Sequence, residues 1–216
     1  SIRDNTRQLR VLSLAGQGRL DQARKLVASF AGRPDDLLAL LDGLDQVATT
    51  TRTADRRRLG ALQLQAAESL DQQRNTLDPA NRQRLDRCLA QAFVAAGFPI
   101  RAVAVYERLV KAAPKDWKPR TRLAEIRLAI GTASQTQAAI TDWRTAERLL
   151  SPGSDDWMIV RLGTLRALKQ AGRAAECRQL LGVTRLLYPE KGTAAVRADL
   201  KRLAVSLKPK TDPSGM

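Results

Sequence analysis

The sequence predicts an all-α fold in which antiparallel helix hairpins stack one after another into a solenoid. Its composition favours helices, because hydrophobic residues make up 44 % of the 216 residues and aromatic residues only 4 %, while good helix formers such as Ala, Leu, Gln and Arg dominate. Prolines recur at hairpin length: Pro114, Pro152 and Pro189 follow apolar pairs and lie 38 and 37 residues apart. Apolar residues also recur every three or four positions, which is the period of an amphipathic helix.

The N-terminal third predicts two hairpins, of which the second is irregular. Residues 4–36 form the first hairpin, and residues 37–82 form the irregular one. In the irregular hairpin, a short helix capped by Asp35 and Asp36 is followed by a Thr-rich loop and then by one long helix over 54–77. One face of this long helix is apolar, and it carries Leu59, Leu62, Ala66 and Leu70.

Three regular hairpins are predicted over residues 83–116, 117–152 and 157–190. The pair Asp78-Pro79 is typical of an N-cap followed by proline at the first helical position, where the missing N–H has no consequence. Glycine readily adopts the left-handed backbone with which many helices end. The predicted helix ends are accordingly Gly97, Gly131 and Gly172.

Two further helix starts are predicted from the same kinds of signal. Pro119 is expected to open the first helix of the hairpin over 117–152. Asp155 and Asp156 are expected to cap the first helix of the hairpin over 157–190.

A last amphipathic helix is predicted over residues 193–207. Its apolar face carries Val196, Leu200, Leu203 and Leu207. Its basic face carries Arg197, Lys201 and Arg202. The terminal unit of a repeat array needs such a polar outer surface, so this segment is predicted to be a C-terminal capping helix. We expect residues 1–207 to form a single helical-repeat domain and residues 208–216 to be a flexible tail.

Residues 83–116 carry a recurring pattern of small and aromatic side chains across two helices. Its positions are Leu89, Ala90 and Phe93 in the first helix, and Gly97, Ala102, Tyr106, Leu109 and Pro114 across the second. This stretch closely resembles a tetratricopeptide repeat. The resemblance implies a right-handed α-solenoid of antiparallel hairpins, in which a small residue lets two helices approach and an aromatic residue fills the space between hairpins.

The other hairpins match the repeat pattern in part. Residues 157–190 have Cys177 where the family has alanine, and residues 117–152 have Arg127 where an aromatic residue is usual. In the hairpin over 117–152, Trp143 occupies the aromatic core position. The stretch 37–82 matches poorly.

The resemblance also implies a binding surface, because the first helix of each hairpin lines the concave groove in this family. The matching polar positions are Arg84, Arg87, Gln91, Lys118, Arg122, Glu125, Arg166 and Lys169. The same register places Thr121 and Leu162 on this surface. Arginines beside apolar positions suit a protein or peptide partner, including an acidic one.

The chain is therefore predicted to be an interaction module: a scaffold, an adaptor or the recognition arm of a larger bacterial assembly. The alternative is that these are ordinary solvated side chains.

The charge of the chain keeps a second function open. The sequence has 37 Lys and Arg against 22 Asp and Glu, a formal net charge of +15. A basic helical-repeat protein that binds nucleic acid through its phosphates would have such a composition. The positive charge is spread along the chain, however, and Arg56-Arg57-Arg58 is its only run of three. Solvated helix faces explain a spread of this kind equally well.

Catalysis has little support in the sequence. Histidine is absent, which excludes Ser-His-Asp and Cys-His catalysis and any histidine-containing metal site. Cys88 and Cys177 lie on apolar stripes and are expected to be buried thiols. We therefore predict no enzymatic activity, no cofactor and no metal. No stretch is long and apolar enough to span a membrane. A cytoplasmic location is favoured, although a removed targeting segment remains open because the chain begins with Ser1.

Overall fold

The computed structural model describes residues 2–30, 32–50 and 53–207. Within these ranges the backbone forms eleven α-helices and two short 3₁₀ helices, and it contains no strand. The predicted flexible tail over 208–216 lies outside the described residues. The chain divides into two compact units, residues 1–112 and 113–216. The single domain over 1–207 stays a prediction, and each unit is described by itself.

The first unit contains three consecutive hairpins. Their helices are α1 (Ile2–Gly16), α2 (Leu20–Val27), α3 (Pro34–Thr50), α4 (Thr53–Asp71), α5 (Pro79–Ala96) and α6 (Pro99–Ala112). The first helices α1 and α3 contact each other, as do the second helices α2 and α4. This is how stacked hairpins bury the apolar face that each one leaves exposed. The fully buried leucines of this unit include Leu37, Leu40, Leu41, Leu44, Leu59, Leu62 and Leu70.

The long helix predicted over 54–77 is shorter in the structure. Helix α4 ends at Asp71, and a 3₁₀ turn over Arg74–Thr76 follows it. The guanidinium of Arg74 holds this turn, because it donates to Asp71 Oδ1 at 2.7 Å and to Asp86 Oδ1 at 2.5 Å. Leu77 is then extended, and Asp78 accepts a hydrogen bond from Asn81 N at 2.8 Å as the predicted N-cap of α5. An N-cap needs a non-helical backbone, so the chain must leave the helix before it.

The second unit contains two hairpins and a last helix. Its helices are α7 (Trp117–Ile130), α8 (Ala133–Glu147), α9 (Asp155–Gln170), α10 (Ala174–Leu187) and α11 (Ala194–Ser206). The first helices α7, α9 and α11 form a contiguous row, since α9 contacts both of the others. We call these three helices the A-row. Gly97 in the first unit and Gly131 in the second end their helices with φ of 89° and 76°, as predicted.

Both predicted helix starts in this unit are shifted towards the N-terminus. Helix α7 begins at Trp117 rather than at Pro119, because Asp116 caps it by accepting from Lys118 N at 3.0 Å. Pro119 therefore lies within the first turn, where its missing N–H still has no consequence. Ser154 caps α9 by accepting from Trp157 N at 3.2 Å. Asp155 and Asp156, which were predicted to cap this helix, lie in its first turn instead. Their negative charge interacts favourably with the positive end of the helix dipole.

A tryptophan and a glycine fix the approach of α8 to α9. Trp143 is 4 % exposed, as expected for an aromatic core position. A Cβ atom at Gly163 would lie 2.6 Å from the Trp143 ring. Trp157 is buried as well and packs on Tyr188 with a distance of 5.0 Å between ring centroids. The small residue on α9 thus makes room for the largest side chain of α8.

Buried ion pairs join neighbouring helices at two places in the second unit. Arg127 on α7, where the repeat pattern has an aromatic residue, pairs with Asp142 on α8. Arg120 reaches the same carboxylate at 3.5 Å. On the other side of α8, Glu147 accepts from Arg161 of α9 at 3.0 Å. These side chains are at most 16 % exposed, so each pair links two helices inside the protein.

Candidate partner-binding surface

Three of the predicted binding residues lie on α5 in the first unit. Helix α5 buries the stripe that contains Leu85 and Leu89, which turns Arg84, Arg87 and Gln91 towards solvent. Arg84 forms an ion pair with Asp42 of α3, and its charge is therefore compensated within the unit. Arg87 and Gln91 are exposed.

Three more predicted residues lie on α7 in the second unit, and all of them are exposed. Arg122 pairs with Glu125 one helical turn later, at 2.5 Å. The ammonium of Lys118 lies 6.0 Å from the centre of the Trp117 ring. The neighbouring Thr121 is only 6 % exposed, because it faces the interior and donates to the Lys118 carbonyl oxygen. Its predicted place on the binding surface is therefore wrong.

The last two predicted residues lie on α9 and reach towards α11. Arg166 pairs with Asp199 at 2.6 Å. Lys169 Nζ donates to Ser206 Oγ at 2.9 Å. Leu162, which the register also placed on this surface, is 4 % exposed and belongs to the core. The helical register is therefore right for the polar positions of α9 and wrong for this apolar one.

These contacts border an open cleft of about 530 Å³ between α9 and α11. We call it the A-row cleft. Its lining consists of Arg166, Lys169, Gln170, Asp199, Arg202, Leu203 and Ser206. Gln170 also donates to the Leu128 carbonyl oxygen of α7 at 2.8 Å, so hydrogen bonds connect all three helices of the A-row.

One carboxylate, that of Asp199, pairs with two of the arginines in the A-row cleft. Asp199 accepts from both Arg166 and Arg202. The hydrogen bond from Arg202 is the main reason why the pKa of Asp199 is lowered from its usual value, and Arg166 adds to the effect. Two of the three cations in the cleft are thus paired with a carboxylate, whereas Lys169 is bonded to a neutral hydroxyl.

Sequence reasoning missed the contribution of α11 to this surface. It treated Arg202 as part of a solvated outer face and did not consider Asp199 or Ser206. In the structure α11 packs against α9 in the same way as α7 does. Aligning residues 193–207 as the first helix of a further hairpin would have placed Asp199 and Arg202 beside α9.

The described residues offer little for metal or thiol chemistry. Within residues 2–30, 32–50 and 53–207, potential metal-binding side chains do not gather in any group of three or more. Both cysteines are buried as free thiols, as predicted. Burial raises the pKa of Cys88 to about 11, and burial also raises the pKa of Cys177. None of the described helices is both long and apolar enough to cross a membrane.

Comparison with known proteins relates the fold to solved structures. A structure described as "MamA AMB-1" superposes with a TM-score of 0.52 at 19 % identity, over 91 % of this chain and 97 % of the other. The chain has a tetratricopeptide-like helical-repeat fold. A second structure, of a putative kinesin light chain from Podosopora anserina with nearly identical tetratricopeptide-like repeats, has a TM-score of 0.49 at 22 % identity, over 86 % of this chain and 98 % of that one. The predicted fold class is confirmed.

The comparisons that use sequence found no match for this chain. No protein-family model matches the sequence. No curated protein matches it either.

Proposed function

We propose that this chain is a protein-interaction module that holds a segment of a partner protein along the first helices of its hairpins. The observation that carries the proposal is the A-row cleft, which is open, about 530 Å³ in volume and bordered mostly by charged and polar side chains. A tetratricopeptide-like fold supplies such a surface without any catalytic group, since it is formed by successive helix faces.

The chemistry of the cleft suits a polypeptide better than a nucleic acid. Asp199 compensates Arg166 and Arg202, and a phosphate would have to approach that carboxylate. A peptide can use the same groups differently, because its backbone carbonyls accept from Gln170 and Lys169. The partner we propose is therefore a protein segment whose carboxylates meet Lys169.

Within each unit, exposed apolar residues also lie beside polar groups on the first helices. In the second unit, Ile159 is 43 % exposed on α9, and Lys118 and Glu125 are exposed on α7. In the first unit, Val94 is 44 % exposed on α5 beside Gln91. Each unit thus offers an apolar contact next to polar groups, which is the composition of many peptide-binding surfaces.

Site-specific photo-crosslinking tests the proposal in cells. A photoreactive amino acid at Lys169 or Gln170 is expected to capture the same protein. The matched control is Gln179, which is exposed on α10 and does not line the A-row cleft. The same capture from all three positions would contradict a defined surface. Capture of nucleic acid rather than protein at Lys169 would replace the proposed partner class.

A further inference from the structure

A second cleft of about 270 Å³ lies between the end of α10, the loop over 188–193 and α11. We call it the cationic cleft. It shares no lining residue with the A-row cleft. Arg197 and Lys201 border it from α11, whereas Asp199 and Arg202 border the A-row cleft, so the two clefts lie on different faces of that helix.

Four basic side chains line the cationic cleft, and one acidic side chain accompanies them. The basic residues are Arg185, Lys191, Arg197 and Lys201, and the acidic residue is Glu190. Among the described residues, no carboxylate forms an ion pair with any of these four side chains. This distinguishes the cleft from the rest of the second unit, where Arg144, Arg166 and others are paired. An excess of uncompensated positive charge in a concave site attracts anions.

Local contacts hold the wall of this cleft in place. Arg197 Nη1 donates to the Gly192 carbonyl oxygen at 2.5 Å and to the Glu190 carbonyl oxygen at 3.4 Å. Gly192 has a φ of 85°, and a Cβ atom there would lie 3.1 Å from Met158. Tyr188 packs on Trp157. The loop is thereby fixed, and the guanidinium of Arg197 is oriented before any ligand arrives.

We propose that the cationic cleft binds a small phosphate-bearing molecule. A guanidinium can donate two parallel hydrogen bonds to phosphate oxygens, and ammonium groups add charge without strict geometry. Arg197 uses one terminal nitrogen for the loop, and within the described residues its Nε and Nη2 form no hydrogen bond. The volume of the cleft, about 270 Å³, accommodates one or two phosphate groups. The inference goes beyond the proposed function, since it concerns another face of the protein.

Calorimetric titration of the intact chain with inorganic pyrophosphate at constant ionic strength tests this site. We expect saturable binding of one pyrophosphate per chain. Arg197→Gln and Lys201→Gln should each weaken it by about tenfold or more, because each removes a charge-assisted hydrogen bond. Arg178→Gln is the matched control, since it removes a positive charge that is exposed on α10 and lines neither cleft, and the pyrophosphate affinity of this variant should stay within about twofold of the wild type.

The outcomes separate a site from diffuse attraction. Loss of binding in Arg197→Gln and Lys201→Gln but not in Arg178→Gln supports the proposal, provided that all three variants unfold at the same temperature as the wild type. If Lys201→Gln unfolds early, Lys191→Gln in the loop replaces it. An equal effect of all the substitutions, or an absence of saturation, overturns the proposal. So does binding only to a single-stranded oligonucleotide, whose affinity would grow with its length. None of these results depends on partner binding at the A-row.

Discussion

Arg127 on α7 forms a buried ion pair with Asp142 on α8, at a position where the tetratricopeptide pattern has an aromatic residue. The two side chains are 14 % and 9 % exposed, and Arg120 adds a second positive charge at 3.5 Å from Asp142. This hairpin therefore joins its two helices by electrostatic contacts at that position. A buried ion pair adds little net stability compared with apolar packing, but removal of one partner leaves the other charge uncompensated in the interior.

Asp142→Ala should destabilise the protein strongly, because it leaves Arg120 and Arg127 without their carboxylate in the interior. Removing one partner of a buried pair typically lowers the free energy of unfolding by about 3–5 kcal/mol. Urea unfolding followed by circular dichroism measures the effect. Glu125→Ala is the matched control on the surface, where loss of the pair with Arg122 should change the stability by less than about 1 kcal/mol. Similar losses in both variants would show that the buried pair is not special.

Gly163→Ala should destabilise the protein although alanine is the better helix former. The new methyl group would overlap the Trp143 ring at 2.6 Å, and overpacking of this kind lowers the free energy of unfolding by about 1–3 kcal/mol. Gly182→Ala on α10 is the control, since nothing lies within 4 Å of its Cβ position. It should raise the stability by about 0.5–1 kcal/mol. In the double variant Gly163→Ala/Trp143→Phe, part of the loss should be recovered, because the smaller ring makes room.

Several helix ends could be predicted from the sequence because their signals are local. Asp78 caps a helix, and Gly97 and Gly131 end helices, through contacts within the same turn. The end of α4 could not be predicted, since it depends on the hydrogen bond from Arg74 to Asp86, twelve residues later. Ser154 was overlooked because the two aspartates that follow it are also favourable at a helix start.

The sequence predicted which polar residues of the candidate surface are exposed, but not which of their charges are paired. The repeat register placed Arg166 and Lys169 on the solvent side of α9 correctly, because that follows from helical periodicity. Their pairing with Asp199 and Ser206 of α11 is a contact between distant segments, which periodicity does not predict. The net charge of +15 could therefore not show which cations are compensated.

The contribution of Glu147 to stability should depend on pH. Burial raises the pKa of Glu147, although Thr164 and Arg161 act in the opposite direction. The folded protein thus binds the proton more tightly than the unfolded chain, whose pKa is 4.5. This contribution is present below pH 4.5 and is lost as the pH rises through the higher pKa of the folded state. Relative to Glu147→Gln, the wild type should lose stability as the pH rises above 4.5.

Urea unfolding of the wild type and of Glu147→Gln at a series of pH values measures this difference. The other titratable groups are the same in both proteins, so their effect on the pH dependence of stability largely cancels in the difference. A wild type that gains stability relative to the variant as the pH rises would show that the pairing of Glu147 with Arg161 outweighs the effect of burial.

Both thiols should be unreactive in the folded protein. Cys88 is 8 % exposed with a pKa of about 11, and Cys177 is fully buried. Because the thiolate is the reactive form, Ellman's reagent at pH 8 should modify neither cysteine without denaturant and both in urea. Rapid modification of one thiol in native conditions would indicate local opening of the helix that carries it.

The most direct test of the proposed function measures the affinity of the partner captured from Lys169 for the wild type and for Arg122→Glu over a range of salt concentrations. Arg122 is exposed on α7 in the same unit as Lys169, and Arg178, exposed on α10, supplies the control Arg178→Glu. We predict that Arg122→Glu binds at least about tenfold more weakly, that the control is unchanged, and that salt has a shallow effect. Full binding by Arg122→Glu, or a steep loss of affinity with salt typical of phosphate contacts, would contradict a protein-binding surface on the first helices of the second unit.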